Sequence, residues 1–142
     1  MIREMKRTDY EQAFQIWKEI EGMGMRSLDD SYEGIEKFLA RNPSTCFVAE
    51  EAGDVIGTIL CGHDGRRAYI YHLAVLESHR GKELGKDLVK AVETALEKEG
   101  IHKAALVVYC SNKMGNDFWE RRGYTIRDDL YYRNKSLNLK NI

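Results

Sequence analysis

Two spacings of apolar residues alternate along this chain. Residues 1–6 read as a short strand. Thr8 and Glu11 then stand at capping-box spacing. Ala13, Phe14, Trp17 and Ile20 follow at helical intervals, with Trp17 expected in the core. The stretch 21–27 breaks the pattern with Gly22, Met23, Gly24 and Met25, a flexible and adaptable apolar surface. A second helix is predicted to start between Ser27 and Asp30, to bury Ile35, Phe38 and Leu39, and to end before Pro43. Residues 45–50 and 55–61 are β-branched and apolar, and the turn Glu51-Ala52-Gly53-Asp54 separates them as in a hairpin. A second turn at 63–67 leads to a strand over 68–75. Leu84, Leu88, Val92 and Leu96 then form the stripe of an amphipathic helix over about 84–99, with Gly100 at its end. A strand over 103–109 follows, then a short helix capped by Asn112 and ended by Gly123. Residues 124–126 and 130–135 read as a closing hairpin. The order β α α β β β α β α β β predicts an α+β sandwich with a mostly antiparallel sheet.

Size and charge narrow the class. At 142 residues the chain is predicted to form one domain, residues 1–142, with a sizeable core. A net charge of −1 argues against nucleic acid as a partner bound through its phosphates. No apolar run is long enough to span a membrane, and the first residues lack the apolar segment of a signal peptide. Cys46, Cys61 and Cys110 give no C-x-x-C and no metal set, so buried free thiols and a cytoplasmic location are expected, with no metal.

The candidate chemistry sits where the strand over 68–75 meets the next helix. Arg80, Gly81, Lys82 and Gly85 stand at that junction. Unpaired N–H groups and the helix dipole favour an anion there, and glycines allow a ligand close to the backbone. Lys82 and Lys86 add positive charge. The segment contains neither G-x-x-x-x-G-K-[ST] nor G-x-G-x-x-G, which excludes a Walker loop and disfavours a dinucleotide fold.

Leu73-Ala74-Val75 followed by Arg80-Gly81-Lys82-Glu83-Leu84-Gly85 resembles the R/Q-x-x-G-x-G/A motif of the GNAT family of N-acetyltransferases. The segment Asn112 to Tyr124 resembles that family's N-x-x-A-x-x-[FL]-Y-x-x-x-G-[FY], in the right order and at the usual separation. The resemblance covers nearly the whole chain and is weakest over 20–42. It implies a three-layer sandwich whose central strands, 68–75 and 103–109, splay apart to admit the pantetheine arm of acetyl-CoA. It implies further that the strand end Leu73-Ala74-Val75 holds pantetheine and thioester, through the backbone of Leu73 and Val75. The backbone of Gly81, Lys82, Glu83, Leu84, Gly85 and Lys86 would cradle the pyrophosphate beside Arg80, and Asn112 would contact the pantetheine arm. Met23, Met25 and Arg26 would line the acceptor side, although a mobile loop with a solvated Arg26 fits the residues equally.

The chain departs from the family pattern at two positions. Glu83 stands where Gly is usual, which puts a carboxylate beside a phosphate site. Trp119 stands where many members have the tyrosine credited with protonating the leaving thiolate, and an indole cannot take that role. As a wall beside the sulfur, Trp119 would still touch the cofactor.

The reaction implied is transfer of the acetyl group of acetyl-CoA to a primary amine, small or on a protein, by direct attack in a ternary complex. The base is open. The strand positions where the family often carries Glu read Tyr69 and Val107. His72 lies on the strand beside the thioester, and imidazole is a suitable base. Strand alternation, however, sets His72 on the face opposite Tyr69, Tyr71 and Leu73, where a structural histidine fits as well. Tyr69 and Tyr71 would lead a water chain to the acceptor or pack the sheet. Two other functions stand beside the enzyme: an acyl-CoA-binding sensor without turnover, suggested by Trp119, and an interaction domain that shares only the sandwich. Whether the chain is a homodimer is open.

Overall fold

The structure, a computed structural model, describes residues 1–142. Strands β1 (Ile2–Glu4), β2 (Phe47–Glu51), β3 (Asp54–His63), β4 (Ala68–Val75) and β5 (Ala104–Ala105) form one sheet in that spatial order. Neighbours are antiparallel except β4 and β5, which run parallel. Helices α1 (Tyr10–Glu19) and α2 (Tyr32–Arg41) cover one face. Helices α3 (Leu84–Lys98) and α4 (Lys113–Arg121) cover the other. The result is the predicted α+β sandwich of three layers, with two apolar clusters separated by the sheet.

Residue chemistry accounts for the layering. Trp17 is fully buried on the α1 side, and its Nε1 donates to Thr58 Oγ1 at 2.8 Å, so the one polar atom of that ring is satisfied. Leu88, Val92 and Leu96 bury the stripe of α3 against Ile56, Ile59 and Ile70. Each such side chain contributes roughly 1.5–3 kcal/mol by leaving water. Gly57 lets α3 approach, because a Cβ there would stand 3.1 Å from Ala74 O and 3.3 Å from Leu88 Cδ1.

Several local expectations are corrected. The first strand is shorter than 1–6, and α1 starts after a 3-10 turn at Arg7–Asp9. Asp9 Oδ2 accepts from Lys6 N–H at 2.8 Å, so the N-terminal box uses Lys6 and Asp9 rather than Thr8 and Glu11. Residues 27–30 are a turn, and α2 begins at Tyr32 because Ser31 Oγ accepts from Gly34 N–H at 3.0 Å. Cys46 and Cys61 are buried, and burial pushes both thiols up to about 12, whereas Cys110 is exposed.

The closing hairpin is absent. Residues 125–137 make no backbone–backbone hydrogen bond. Arg127 turns back onto Asp129 through two bonds of 2.8 and 2.9 Å. Residues 140–142 are fastened to the turn at 27–29 instead. Ser27 N–H donates to Ile142 O, Leu28 and Asp29 N–H donate to Asn141 Oδ1, and Asn141 Nδ2 donates to Asp29 Oδ2.

The sheet is interrupted in β4. Thr58 pairs with Ala74 and Leu60 with Tyr71, so Ile59 alone faces both His72 and Leu73. This is a β-bulge, and His72 takes a positive φ of 50° within it.

Candidate functional site

β4 and β5 share only two residue pairs, Ala68 with Ala104 and Tyr69 with Ala105. Beyond them β4 continues to Val75, while residues 106–109 run on without a partner strand. Leu106 and Val108 still turn toward the α3 cluster and Val107 and Tyr109 toward solvent, so the backbone remains extended as the strands part. The register fixes what faces the gap. Thr58 pairs with Ala74 and Leu76 N–H donates to Ile56 O, which turns the backbone groups of Leu73 and Val75 away from β3 and toward the opening. Arg80 Nε donates to Val75 O at 3.1 Å.

At the end of β4 the chain passes through a 3-10 turn, Glu77–His79, into α3. Gly81 has a φ of 81°, and nothing lies within 4 Å of where its Cβ would be. Glu83, the N-cap of α3, has φ 62° and ψ 17°, a left-handed conformation that explains why glycine would suit the position. The N–H groups of residues 81–86 donate to no acceptor in the protein. Six consecutive free donors at a helix N-terminus, with Lys82 and Lys86 exposed beside them, form a site for a bound anion. Gly85 serves a second purpose, because a Cβ there would meet Phe118 Cε1 at 3.3 Å and push α4 from α3.

On the other face of β4 the bulge brings Tyr71 and His72 to the same side. His72 packs on Trp17, with ring centroids 4.8 Å apart, and Tyr71 meets Phe38 at 5.8 Å and Tyr69 at 4.7 Å. Leu73 and Val75 turn to the α3 side. The alternation expected for His72 is therefore corrected: the extra residue shifts the phase, and His72 shares a face with Tyr69 and Tyr71. His72 Nε2 lies 2.6 Å from Asp30 Oδ1, and the two side chains are only 8% and 9% exposed. Asp30 Oδ2 accepts from Arg26 N–H at 2.7 Å, and Asp30 O accepts from Tyr10 Oη at 2.7 Å. Burial, with Tyr132 close by, pushes the Tyr69 phenol up to about 12, and burial raises Tyr71 as well. Both phenols therefore stay protonated at neutral pH and cannot serve as bases. Asp30, though not His72, lines a cleft of about 330 Å³ together with Phe14, Met25, Arg26 and Ile142 among others.

Known proteins match this chain in sequence and in fold. Residues 4–124 match the acetyltransferase (GNAT) family. The chain belongs to that family. It is 30% identical over 136 residues to an acetyltransferase of Sodalis glossinidius, covering 96% of this chain and 94% of that protein. Its fold is that of Ard1 from Thermoplasma volcanium, with a TM-score of 0.79 at 23% identity over 89% of this chain and 83% of that one. The PaiA N-acetyltransferase from Thermoplasma acidophilum, solved with coenzyme A, gives a TM-score of 0.79 at 22% identity over 90% and 91% of the two chains.

In this GNAT protein the strand end, Leu73 to Val75, and the junction, Arg80 to Lys86, are tied together by the bond from Arg80 Nε to Val75 O. Asn112 caps α4 by accepting from Gly115 N–H at 2.9 Å. Glycine at 115 makes room for that cap, since a Cβ would overlap the Asn112 side chain. Trp119 packs into the α3-side core between Phe118, at 5.2 Å, and Tyr124, at 5.0 Å. Met23 and Met25 pack against the α1-side core, and Arg26 contributes its N–H to Asp30. Asp30 was expected only as part of the start of the second helix and not as a site residue, because nothing in the sequence ties it to a strand 42 residues away.

Proposed function

We propose that this GNAT protein transfers the acetyl group of acetyl-CoA to a primary amine by direct attack within a ternary complex. The row of six unpaired N–H groups at 81–86, at the mouth of the gap between β4 and β5, carries this reading. A pyrophosphate suits those donors, and the extended pantetheine suits the edge of β4 at Leu73 and Val75 that β5 leaves uncovered, where Arg80 Nε already bonds Val75 O. The neighbour solved with coenzyme A supports the same choice of cofactor. Arg80 stands beside the diphosphate in this arrangement, and Asn112 stands across the gap at the start of α4.

The protein's task is to hold amine and thioester in line and to manage protons. Trp119 needs no acid role, because it is a core residue and a thiolate leaving group can take its proton from the attacking amine. The acceptor approaches from the side of the 21–30 loop, past Met25, Arg26 and the aromatic ridge of Phe38, Tyr69 and Tyr71.

Incubation with acetyl-CoA and a panel of primary amines, followed by mass spectrometry, tests the reading. The expected result is an amine heavier by one acetyl group and release of free coenzyme A thiol. Saturating acetyl-CoA at about 100 times its Kd should stabilise the fold by roughly 2.7 kcal/mol, which a melting curve reads directly. A melt unchanged at millimolar acetyl-CoA defeats the cofactor assignment. Stabilisation without turnover on any amine leaves a sensor instead of an enzyme.

A further inference from the structure

We infer that His72 is the general base of the acetyl transfer, and that Asp30 is the positioning residue that fixes its tautomer. The inference rests on the acetyltransferase reading above. Its foundation is the bulge in β4. Without the extra residue, His72 would point into the α3-side core. With it, the imidazole lies on the face of α1 and the 21–30 loop, directly before Leu73 in the chain.

Hydrogen bonding then specifies which nitrogen does the work. Asp30 presents a carboxylate whose Oδ2 already accepts from Arg26 N–H, and its Oδ1 faces His72 Nε2 at 2.6 Å. A carboxylate accepts and does not donate, so Nε2 carries the hydrogen. In the neutral imidazole Nδ1 is therefore the bare nitrogen with a lone pair. Nδ1 makes no hydrogen bond within the protein, and since no fully buried side-chain nitrogen or oxygen lacks a partner, Nδ1 is not completely sealed from water although the side chain is only 8% exposed. Trp17 and Tyr71 meet the ring edge-on, with centroids 4.8 and 6.5 Å away, and the backbone beneath it is fixed because the Thr58 hydroxyl, which accepts from Trp17 Nε1, donates to the His72 carbonyl at 2.8 Å. A histidine serving only the core would have both nitrogens satisfied. Here one nitrogen is anchored and buried and the other is free, which is the arrangement general-base catalysis needs.

The proton balance follows. The acceptor arrives as R–NH3⁺ and gives one proton to Nδ1, directly or through one water, and becomes R–NH2 while His72 becomes imidazolium. The amine lone pair attacks the thioester carbon, the C–N bond forms, and collapse of the adduct breaks the C–S bond. The departing thiolate takes the second proton from nitrogen. The products are the amide, coenzyme A thiol and the proton on His72, which returns to solvent. Asp30, 9% exposed, accepts the Nε2 hydrogen and stabilises the imidazolium through it.

Two measurements decide the matter. Long-range ¹H–¹⁵N NMR on histidine-labelled protein reads the tautomer without any substrate. His72 should show a protonated Nε2 and a bare Nδ1, and Asp30→Asn should disturb that pattern. A protonated Nδ1 in the neutral wild type overturns the inference even if the protein proves to be an active acetyltransferase. The second measurement is kcat/KM against pH with acetyl-CoA and the best amine of the panel. His72→Ala should lose a hundredfold or more and recover part of it with added imidazole. Asp30→Asn should lose about tenfold in kcat, with little change in KM for acetyl-CoA. Its acid limb should move to lower pH, since the imidazolium loses its counter-charge. Folded variants of both residues with wild-type pH profiles would sink the inference, whereas failure of acetyl-CoA to bind at all would sink the reading beneath it.

Discussion

Glu83 illustrates how a single backbone angle exposes a departure from the family pattern. Its φ of 62° places an L-residue where glycine sits without strain, at roughly 1 kcal/mol or more in local energy. Glu83 is also the third residue in the row of six free N–H groups proposed as a diphosphate cradle, so it brings a negative charge to that segment. Glu83→Gly removes both penalties but loosens the unfolded chain, an entropic loss of roughly 0.5–1 kcal/mol. Fold stability should therefore change little, by about 0.5 kcal/mol in favour of the variant. Affinity for coenzyme A should rise severalfold at low ionic strength, and the gain should shrink as salt screens the removed charge. Calorimetry at two salt concentrations reads this. An affinity equal to wild type at both would mean that the Glu83 side chain points away from the cofactor. The sequence showed the odd residue at 83 but not its conformation, because φ is set by the turn as a whole. His72 was misplaced for a similar reason. A bulge leaves no mark on apolar alternation until the partner strand is known, and Ile59 is that mark.

At the scale of elements, the helices were legible and their starts were not. Apolar stripes fixed α1, α2 and α3, whereas the true N-caps depended on which of several polar residues found a partner. Ser31 won over Ser27 for α2 because the backbone at 27–30 closes into its own turn, with Asp30 N–H on Arg26 O at 2.9 Å. Gly34 in the first turn of α2 makes that arrangement possible. A Cβ at Gly34 would overlap the carbonyls of Leu28 and Asp29. Gly34→Ala should thus destabilise the protein by about 2 kcal/mol, although alanine is the better helix former by close to 1 kcal/mol. Because the displaced turn ends at Asp30, acetyl transfer should fall more steeply than stability does. Denaturant melts and turnover measured on the same preparation test the pairing of these effects. A variant more stable than wild type would show that the turn yields freely and that the glycine has no packing role.

Over the whole molecule, the layer order was readable from the element sequence and the parting of β4 from β5 was implied by the family resemblance, whereas the last eighteen residues were not legible. Residues 130–135 carry the apolar and aromatic content of a strand, and the sequence reading paired them accordingly. What it could not see is a competing anchorage more than a hundred residues distant. Asn141 holds the turn at 27–29 through three side-chain bonds of 2.9, 3.0 and 2.8 Å, and Ser27 Oγ donates to Lys140 O at 2.7 Å. These bonds are exposed, so each adds only about 0.5–1 kcal/mol, and none matters to the core. Their effect is local. The turn they restrain carries Asp30, which aims His72, and it borders the cleft on the acceptor side. Asn141→Ala should lower global stability by no more than about 1–2 kcal/mol. It should nonetheless speed amide exchange at Leu28 and Asp29, the two donors it releases, while the amides of α3 keep their protection. Turnover should drop severalfold, with the affinity for acetyl-CoA untouched, because the cradle at 81–86 lies on the other side of the sheet. Hydrogen exchange resolved by residue, with kinetics on the same variant, separates this from a general loosening. Faster exchange across α3 as well as the turn would mean that residues 140–142 support the fold as a whole and not the loop that positions the base.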